Sequence, residues 1–432
     1  MEYKVFGCKT NKYFAEKWLA HPHLEDKVGY FIASCVVTDR AKAKWVKHAL
    51  KKLKTLKEGE KLYLSGCGNI RDGVVDPKFY EIYHELKNFQ DKIEVLPEDP
   101  SDFAMSEEEK KKMMQTKLRS LRSKNLKQIF TRKYMVVQTG CDNFCTFCLT
   151  VQARGRHKFR PIDEILDEIH TFVRGGGKEI VLTGINLGAW GAESSNDFQD
   201  SQFVNLIKTI LEETEIERVR ISSLGVEFFS DELIDLFKNE RIIAYVHLSI
   251  QSGSTPILAK MNRHYDGTKV REVLGKLRGL NREDGVTLNI GADIIAGFPG
   301  ETDENFADTL ALIDDFGITQ LHAFPFSGHV DHYSVPAGVF PNQVPNHIAQ
   351  QRTKTLLEHG QIEKKKLAEK SIGKILKVLI EKADATGKFF GSTENYLACN
   401  ETNFEPLPDQ KIARGKIVLG KYLKMIDTSV ED

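Results

Sequence analysis

The run VVQTGCDNFCTFC places Cys141, Cys145 and Cys148 in a C-x3-C-x2-C spacing, directly after a short apolar stretch that ends at Gly140. Three thiolates from one short loop can bind three irons of a [4Fe–4S] cube and leave the fourth iron without a protein ligand. An amino acid-like cofactor can chelate that open iron through its amine and carboxylate, so an electron leaving the cluster reaches the neighbouring sulfonium. Phe147, between the last two cysteines, is placed to shield the cluster and to pack near adenine. The competing reading is zinc. Zinc prefers four ligands and C-x2-C pairs, and no fourth cysteine or suitably spaced histidine follows.

Three more cysteines, Cys8, Cys35 and Cys67, each follow a predicted strand: YKVFG, VGYFIAS and KLYLSG. Ligands gather outside the carboxyl ends of strands in open α/β sheets, so these three could converge despite their separation. The seventh cysteine, Cys399, has no partner spacing and reads as a structural thiol. An odd, scattered set of seven in a chain of 432 residues argues for a reduced compartment rather than a disulfide framework.

The elements that must position these groups follow from periodicity. Residues 1–100 read as a small α/β unit with parallel strands, Rossmann- or flavodoxin-like, in which Arg40 to Leu56 forms a Lys-rich amphipathic helix. Residues 101–133 shift to a polar, increasingly basic stretch, expected as a linker whose charges face solvent or contact phosphate. Residues 134–371 repeat strand then helix, with strands YMVVQ, EIVLTG, RVRISS, YVHLSI, VTLNIGADIIAG and QLHAFPF, and end in a long Lys-rich helix. Six such units imply a partial (β/α)6 barrel with its chemistry at the strand carboxyl ends. Residues 372–432 switch to short β runs, expected as a small OB-like β-barrel of the kind that serves nucleic acids. Lys+Arg and Asp+Glu both total 61, so no global field draws the chain to polyanions and any nucleic-acid surface is local. The start of the chain lacks a basic region followed by an apolar run, and no eighteen consecutive apolar residues occur, which predicts a cytoplasmic protein without a membrane partner.

C-x3-C-x2-C after a first barrel strand resembles the radical S-adenosylmethionine superfamily, and the flank GCDNFCTFCLTVQARGRHKFRP resembles its methylthiotransferases. GCKTN, ASCVVT and SGCGN resemble the cysteine blocks that hold a second [4Fe–4S] cluster there, and residues 372–432 sit where those enzymes carry a TRAM domain. The resemblance covers nearly the whole chain. LTGINLGAWG, VHLSIQSGS, MNRHY and GADIIAGFPGET are most similar to the branch acting on tRNA N6-threonylcarbamoyladenosine beside the anticodon. On this resemblance the cofactors are two [4Fe–4S] clusters and S-adenosylmethionine. The reaction it implies is removal of hydrogen from carbon 2 of the modified adenine by a 5′-deoxyadenosyl radical, followed by methylthio transfer. The partners are the tRNA anticodon loop, a reductant such as flavodoxin or ferredoxin, and a sulfur donor of unknown identity. Isopentenyladenosine in tRNA, or a ribosomal-protein aspartate, is the alternative substrate.

On the same reading, Thr183, Gly184 and Asn186 offer backbone and an amide to the cofactor's polar head. Ser249 and Gln251 resemble contacts to ribose and carboxylate. Ile294 and Ile295 supply an apolar wall, and Gly297 and Gly300 permit close approach to adenine. Arg154 and Arg156 either steady a carboxylate or phosphate or lie in a solvated loop. Lys388, Phe389, Phe390, Tyr396 and Arg414 mix aromatics with cations as base-stacking barrels do, or else the aromatics form that barrel's core. Two departures from the branch stand out. SSLGVEF replaces SSLEP, displacing a charge to Glu227. FPFSGHVDHYSVPAG loses an arginine from the loop after the sixth strand, which bears on substrate identity.

Overall fold

The computed structural model describes residues 1–105, 130–329 and 334–426. Most of the basic stretch expected as a linker lies outside the described residues, as do positions 330–333 of the loop after the sixth strand.

At the N-terminus, β1 (Glu2–Val5), β2 (Gly29–Ser34), β3 (Lys61–Gly66) and β4 (Ile93–Val95) form a parallel sheet in that order. Side chains alternate across it, so each strand feeds two cores. Phe31 and Tyr63 meet Ala15 and Trp18 of helix α1 (Lys9–Leu19). Ile32, Leu62 and Leu64 meet Trp45, Val46 and Ala49 of helix α2 (Asp39–Leu53), whose first turn is capped by the Thr38 hydroxyl accepting from the Ala41 N–H. Strand β4 escaped sequence reasoning, because three residues before a Pro-containing turn carry no readable period.

The middle of the chain supplies β5 (Lys133–Val136), β6 (Glu179–Thr183), β7 (Arg218–Ile221), β8 (Tyr245–Gln251), β9 (Asn289–Ala296) and β10 (Ile318–Pro325). They form two parallel triplets, β7-β6-β5 and β8-β9-β10, linked by the bridges Val219–Ile242 and Leu224–Leu248. This is the six-strand open barrel expected from the repeating pattern. Val246, Leu248, Ile250, Ile290, Ala292 and Ile294 point outward into the helix-covered core. The alternate positions His247, Ser249 and Asp293 meet across the lumen. One open edge, β5, is covered by Tyr13 and Phe14 of α1, which pack on Tyr134, Val136 and Val181. The other, β10, lies under the long helix Asn346–Ser371. Among the described residues no helix is long and apolar enough to cross a membrane.

The C-terminal strands β11 (Ile375–Ala383), β12 (Phe389–Thr393), β13 (Ala398–Asn400), β14 (Phe404–Pro406) and β15 (Ile417–Tyr422) pair antiparallel in the order β13-β12-β11-β15-β14. A tight turn at residues 401–403 joins the two outermost strands, so the sheet curls on itself as a small barrel does. Its turn at Glu394–Tyr396 enters the floor of the parallel barrel. There Glu179, fully buried, is ringed by Arg132, Arg218 and Arg220 at 2.9, 2.9 and 3.1 Å. Burial alone would raise the Glu179 pKa, but the three guanidinium groups outweigh it and bring it down to about 2. Tyr396 stacks on Tyr245 with ring centroids 4.7 Å apart, and Arg220 lies 4.2 Å over the Tyr396 ring. The base-stacking reading of Phe389 and Tyr396 is thereby corrected: both are buried, Phe389 in the core of the curled sheet and Tyr396 under the barrel. Lys388 and Arg414 remain exposed on that sheet.

Candidate metal centre

The loop carrying Cys141, Cys145 and Cys148 leaves β5 through Gly140, whose φ of +67° suits glycine, and a Cβ there would collide with the Arg156 carbonyl. Backbone amides already point at the sulfurs. Asn143 N–H donates to Cys141 Sγ and Thr150 N–H to Cys148 Sγ, each at 3.4 Å, and Arg263 Nη1 donates to Cys145 Sγ at 3.2 Å. Burial pushes the Cys141 thiol up to about 12 and raises Cys145, against the pull of Arg263. Buried thiols of this kind become thiolates when a metal supplies the compensating charge.

Neighbouring elements fix the loop from several sides. Gln138 donates to the Thr139 and Gly140 carbonyls and accepts from the Ile185 and Asn186 N–H groups, and a side chain at Gly184 would press on it. The Ser195 hydroxyl accepts from the Asp142 N–H at 2.6 Å, and Asn196 donates to the Asp142 carbonyl. From the MNRHY segment, Asn262 donates to the Asn143 carbonyl, and Arg263 faces Glu227 at 3.5 Å. The displaced charge of SSLGVEF is therefore the counter-ion of the arginine that touches Cys145. Gln138, Ser195, Asn262 and Arg263 were not singled out from the sequence. Only MNRHY hinted at the last two, as part of a family phrase.

The second trio gathers at the carboxyl ends of β1, β2 and β3. Cys35 and Cys67 hydrogen-bond to each other, and Cys8 lies within electrostatic reach of Cys35. Gly7 (φ +92°) and Gly66 (φ +99°) make the cradle: a Cβ at Gly7 would meet Cys35 Sγ at 2.7 Å, and one at Gly68 would meet Ser34 Oγ at 2.7 Å. The Cys35 hydrogen bond pulls the Cys67 thiol down against its burial, and Arg154 adds to that pull. Among the described residues, the trio of His, Cys, Asp or Glu donors gathered within 4.8 Å is His247, Asp293 and His322, not either cysteine set. Three cysteine sulfurs per set, the first beside Gly140 and the second beside Gly7 and Gly66, are the donor type and number that an iron–sulfur cluster with one open iron takes.

The other expected site residues fall in several places. Thr183, Gly184 and Asn186 sit at the carboxyl end of β6 beside Gln138, with the Asn186 amide donating to the Ser195 carbonyl. Ser249 lines the lumen, bonded to Ser223 and Asp293. Gln251 ends β8 with a left-handed φ of +68° after a register shift. Phe147 is half-buried against Ile257, Met261 and Phe298, whereas Phe144 (φ +48°) is the exposed ring of the loop and lies under Arg156. Arg156 itself is exposed and reaches Asp142 at 3.3 Å. Three expectations are corrected. Ile294 turns outward into the helix-packed core and leaves Ile295 on the lumen side, because side chains alternate along β9. The missing side chain of Gly297 makes room for Ala349 of the long helix. Arg154 is neither solvated nor available to RNA: it is 7% exposed and holds both oxygens of Glu98 with Nε and Nη2, along one edge of its guanidinium. In the altered loop after β10, Ser327 and His329 both turn back to Asp39 at the start of α2.

An open parallel barrel with three thiols of one loop at the carboxyl end of its first strand defines the class of radical S-adenosylmethionine enzymes. The sequence profile described as the Radical SAM superfamily matches residues 135–313. The chain is 32% identical over 405 residues to threonylcarbamoyladenosine tRNA methylthiotransferase MtaB of Rickettsia prowazekii, covering 92% of this chain and 90% of that one. A second MtaB, from Thermotoga maritima, is 32% identical over 425 residues, covering 91% and 89%. A tRNA-2-methylthio-N(6)-dimethylallyladenosine synthase of Bdellovibrio bacteriovorus is 34% identical, but over 269 residues covering 61% and 56%. The chain belongs to the MtaB-like radical SAM methylthiotransferase family. Its cofactors are accordingly two [4Fe–4S] clusters and S-adenosylmethionine, a complement that two cysteine trios fit.

Proposed function

We propose that this enzyme installs a 2-methylthio group on N6-threonylcarbamoyladenosine at position 37 of tRNA, in the cytoplasm. The observation that carries this reading is similarity to the threonylcarbamoyladenosine enzymes along nine tenths of the chain. Cys141, Cys145 and Cys148 hold the cluster with the open iron, and Cys8, Cys35 and Cys67 hold the other. When bound and reduced by one electron, S-adenosylmethionine supplies the carbon radical that an unactivated C–H bond demands, and a second molecule supplies the methyl group.

The protein's own part is placement. Gln138, Asn262 and Arg263 fix the loop so that the reacting groups sit within a near-attack distance. Packing of α1 over the open edge at β5 keeps bulk water from that side of the lumen. Ser223, Ser249, His247 and His322 surround Asp293 in the lumen and present a polar wall to the cofactor and the base. At the rim, exposed Phe144 beneath Arg156 offers a stacking face and a cation to a base leaving the anticodon loop. Lys388 and Arg414 on the curled C-terminal sheet extend that contact to tRNA phosphates. A flavodoxin or ferredoxin supplies electrons.

The reading is tested by mass spectrometry of tRNA nucleosides from cells with and without the gene. Loss of 2-methylthio-N6-threonylcarbamoyladenosine, restored by the gene but not by its Cys141→Ala variant, is expected. The shorter similarity to dimethylallyladenosine enzymes favours a second reading. Loss of the methylthio group from that nucleoside instead would replace the first.

A further inference from the structure

Arg154 is the last residue of the short helix Thr150–Arg154 that follows the Cys141–Cys148 loop, yet its buried side chain turns toward the other trio, within electrostatic reach of Cys67 and Cys8. Its Nε donates to Glu98 Oε2 at 2.8 Å, Nη2 donates to Glu98 Oε1, and Nη2 also reaches Asn11 Oδ1 at 3.4 Å. Asn11 in turn donates to the Phe6 carbonyl at 2.7 Å and the Ser34 carbonyl at 2.6 Å. Phe6 comes two residues before Cys8, and Ser34 immediately precedes Cys35. The Ser34 carbonyl also stands 3.9 Å from Cys67 Sγ. One hydrogen-bonded chain therefore runs from the segment behind Cys148 to the backbone beside Cys8 and Cys35, and through the Ser34 carbonyl to the Cys67 thiol. The carbonyls of Gln152 and Ala153 reinforce it by accepting from the Asp72 and Gly73 N–H groups at 2.9 Å.

A buried full charge needs a partner, and the guanidinium has one carboxylate while sitting beside thiols that carry negative charge once ligated. Glu98 alone would neutralise it, so its placement against the trio has a consequence for any cluster held there. A nearby fixed cation stabilises the reduced, more negative state of a cluster, and an anion does the reverse. We propose that Arg154 is a positioning residue of the second cluster: with Glu98 it sets that cluster's reduction potential and locks its pocket to the radical loop. The proposal rests on Cys8, Cys35 and Cys67 being cluster ligands.

The test uses full-length protein, reconstituted anaerobically, in a Cys141→Ala, Cys145→Ala, Cys148→Ala background so that one cluster gives the signal. Its potential is read by electron paramagnetic resonance during a redox titration. Arg154→Gln is expected to make reduction harder, Glu98→Gln to make it easier, and Arg154→Lys, which keeps the charge, to stay near the parent. Mere loosening of the pocket would move both Gln variants the same way, and that result, or no movement in either, overturns the proposal. A parent that binds no cluster after reconstitution overturns the ligand assignment itself. Should Arg154→Gln fail to fold, the double variant with Glu98→Gln removes both charges. Its potential is then expected between those of Glu98→Gln and the parent or below, and a value above Glu98→Gln contradicts the role.

Discussion

Arg263 joins a cluster ligand to the barrel: it donates to Cys145 Sγ and the Tyr265 hydroxyl and faces Glu227, whose side chain is 2% exposed. Replacing it with Met leaves Glu227 buried without a counter-ion, which costs about 3–5 kcal/mol. The Arg263→Met protein should therefore melt at lower temperature and lose iron from the radical loop faster on desalting. The Arg263→Met, Glu227→Gln pair should recover much of the melting temperature but not the iron retention, because the sulfur still lacks its donor. Equal recovery of both, seen by calorimetry and iron assay, would show that the sulfur contact is idle. The six cysteines were legible because a thiol's chemistry travels with its residue type. Arg263 and Gln138 were not, since an arginine or glutamine acquires such a role only from what it faces.

The floor of the parallel barrel depends on elements far apart in sequence. Glu179 begins β6, Arg218 and Arg220 lie on β7, and Arg132 immediately precedes β5 while also gripping Glu381 of β11. Glu179→Gln should destabilise the folded chain by roughly 3–5 kcal/mol at neutral pH, as removal of one member of a buried charge set does. The Glu179 carboxyl sits at about 2 when folded, below its ordinary 4.5. Its contribution is complete above about 4.5 and disappears as pH falls toward 2, where the folded carboxylate takes up its proton. Urea unfolding from pH 7 to pH 2.5 should show the gap between wild type and Glu179→Gln closing over that range. A constant gap would mean that packing, not charge, is what Glu179 supplies. Element identity itself was largely readable: the six barrel strands and α2 follow the apolar periods, while β4 was too short to show one.

Across the described residues, the N-terminal sheet, the barrel and the C-terminal sheet are held together by side chains aimed at one another. α1 of the first sheet seals β5. The C-terminal sheet closes the barrel floor, where the Asn395 carbonyl accepts from Asn289 at 2.8 Å and Tyr396 stacks on Tyr245. Removal of everything after Ser371 should therefore do more than weaken tRNA binding. It strips Tyr396 from Arg220 and Glu381 from Arg132, and the truncated protein should melt well below the full chain and tend to aggregate. By contrast, Lys388→Ala with Arg414→Ala, both exposed, should lower melting far less than the truncation, by no more than the hydrogen bond Arg414 gives to Thr131, and reduce tRNA affinity with a shallower salt dependence. A truncated chain that melts like the full one would refute the floor's role.

The order of thiols, strands and helices was set by local pattern: residue chemistry for the ligands, a period of two or of 3.6 for the elements. The family followed from the same phrases. What the chain alone left open was direction. Whether Ile294 or Ile295 meets the lumen turns on the pleat, and whether Gly297 admits a ligand or a helix turns on where residue 349 packs. Whether Arg154 serves RNA or a buried carboxylate turns on a partner 56 positions away. Such outcomes belong to tertiary structure, because burial and electrostatic pairing depend on neighbours in space rather than along the chain.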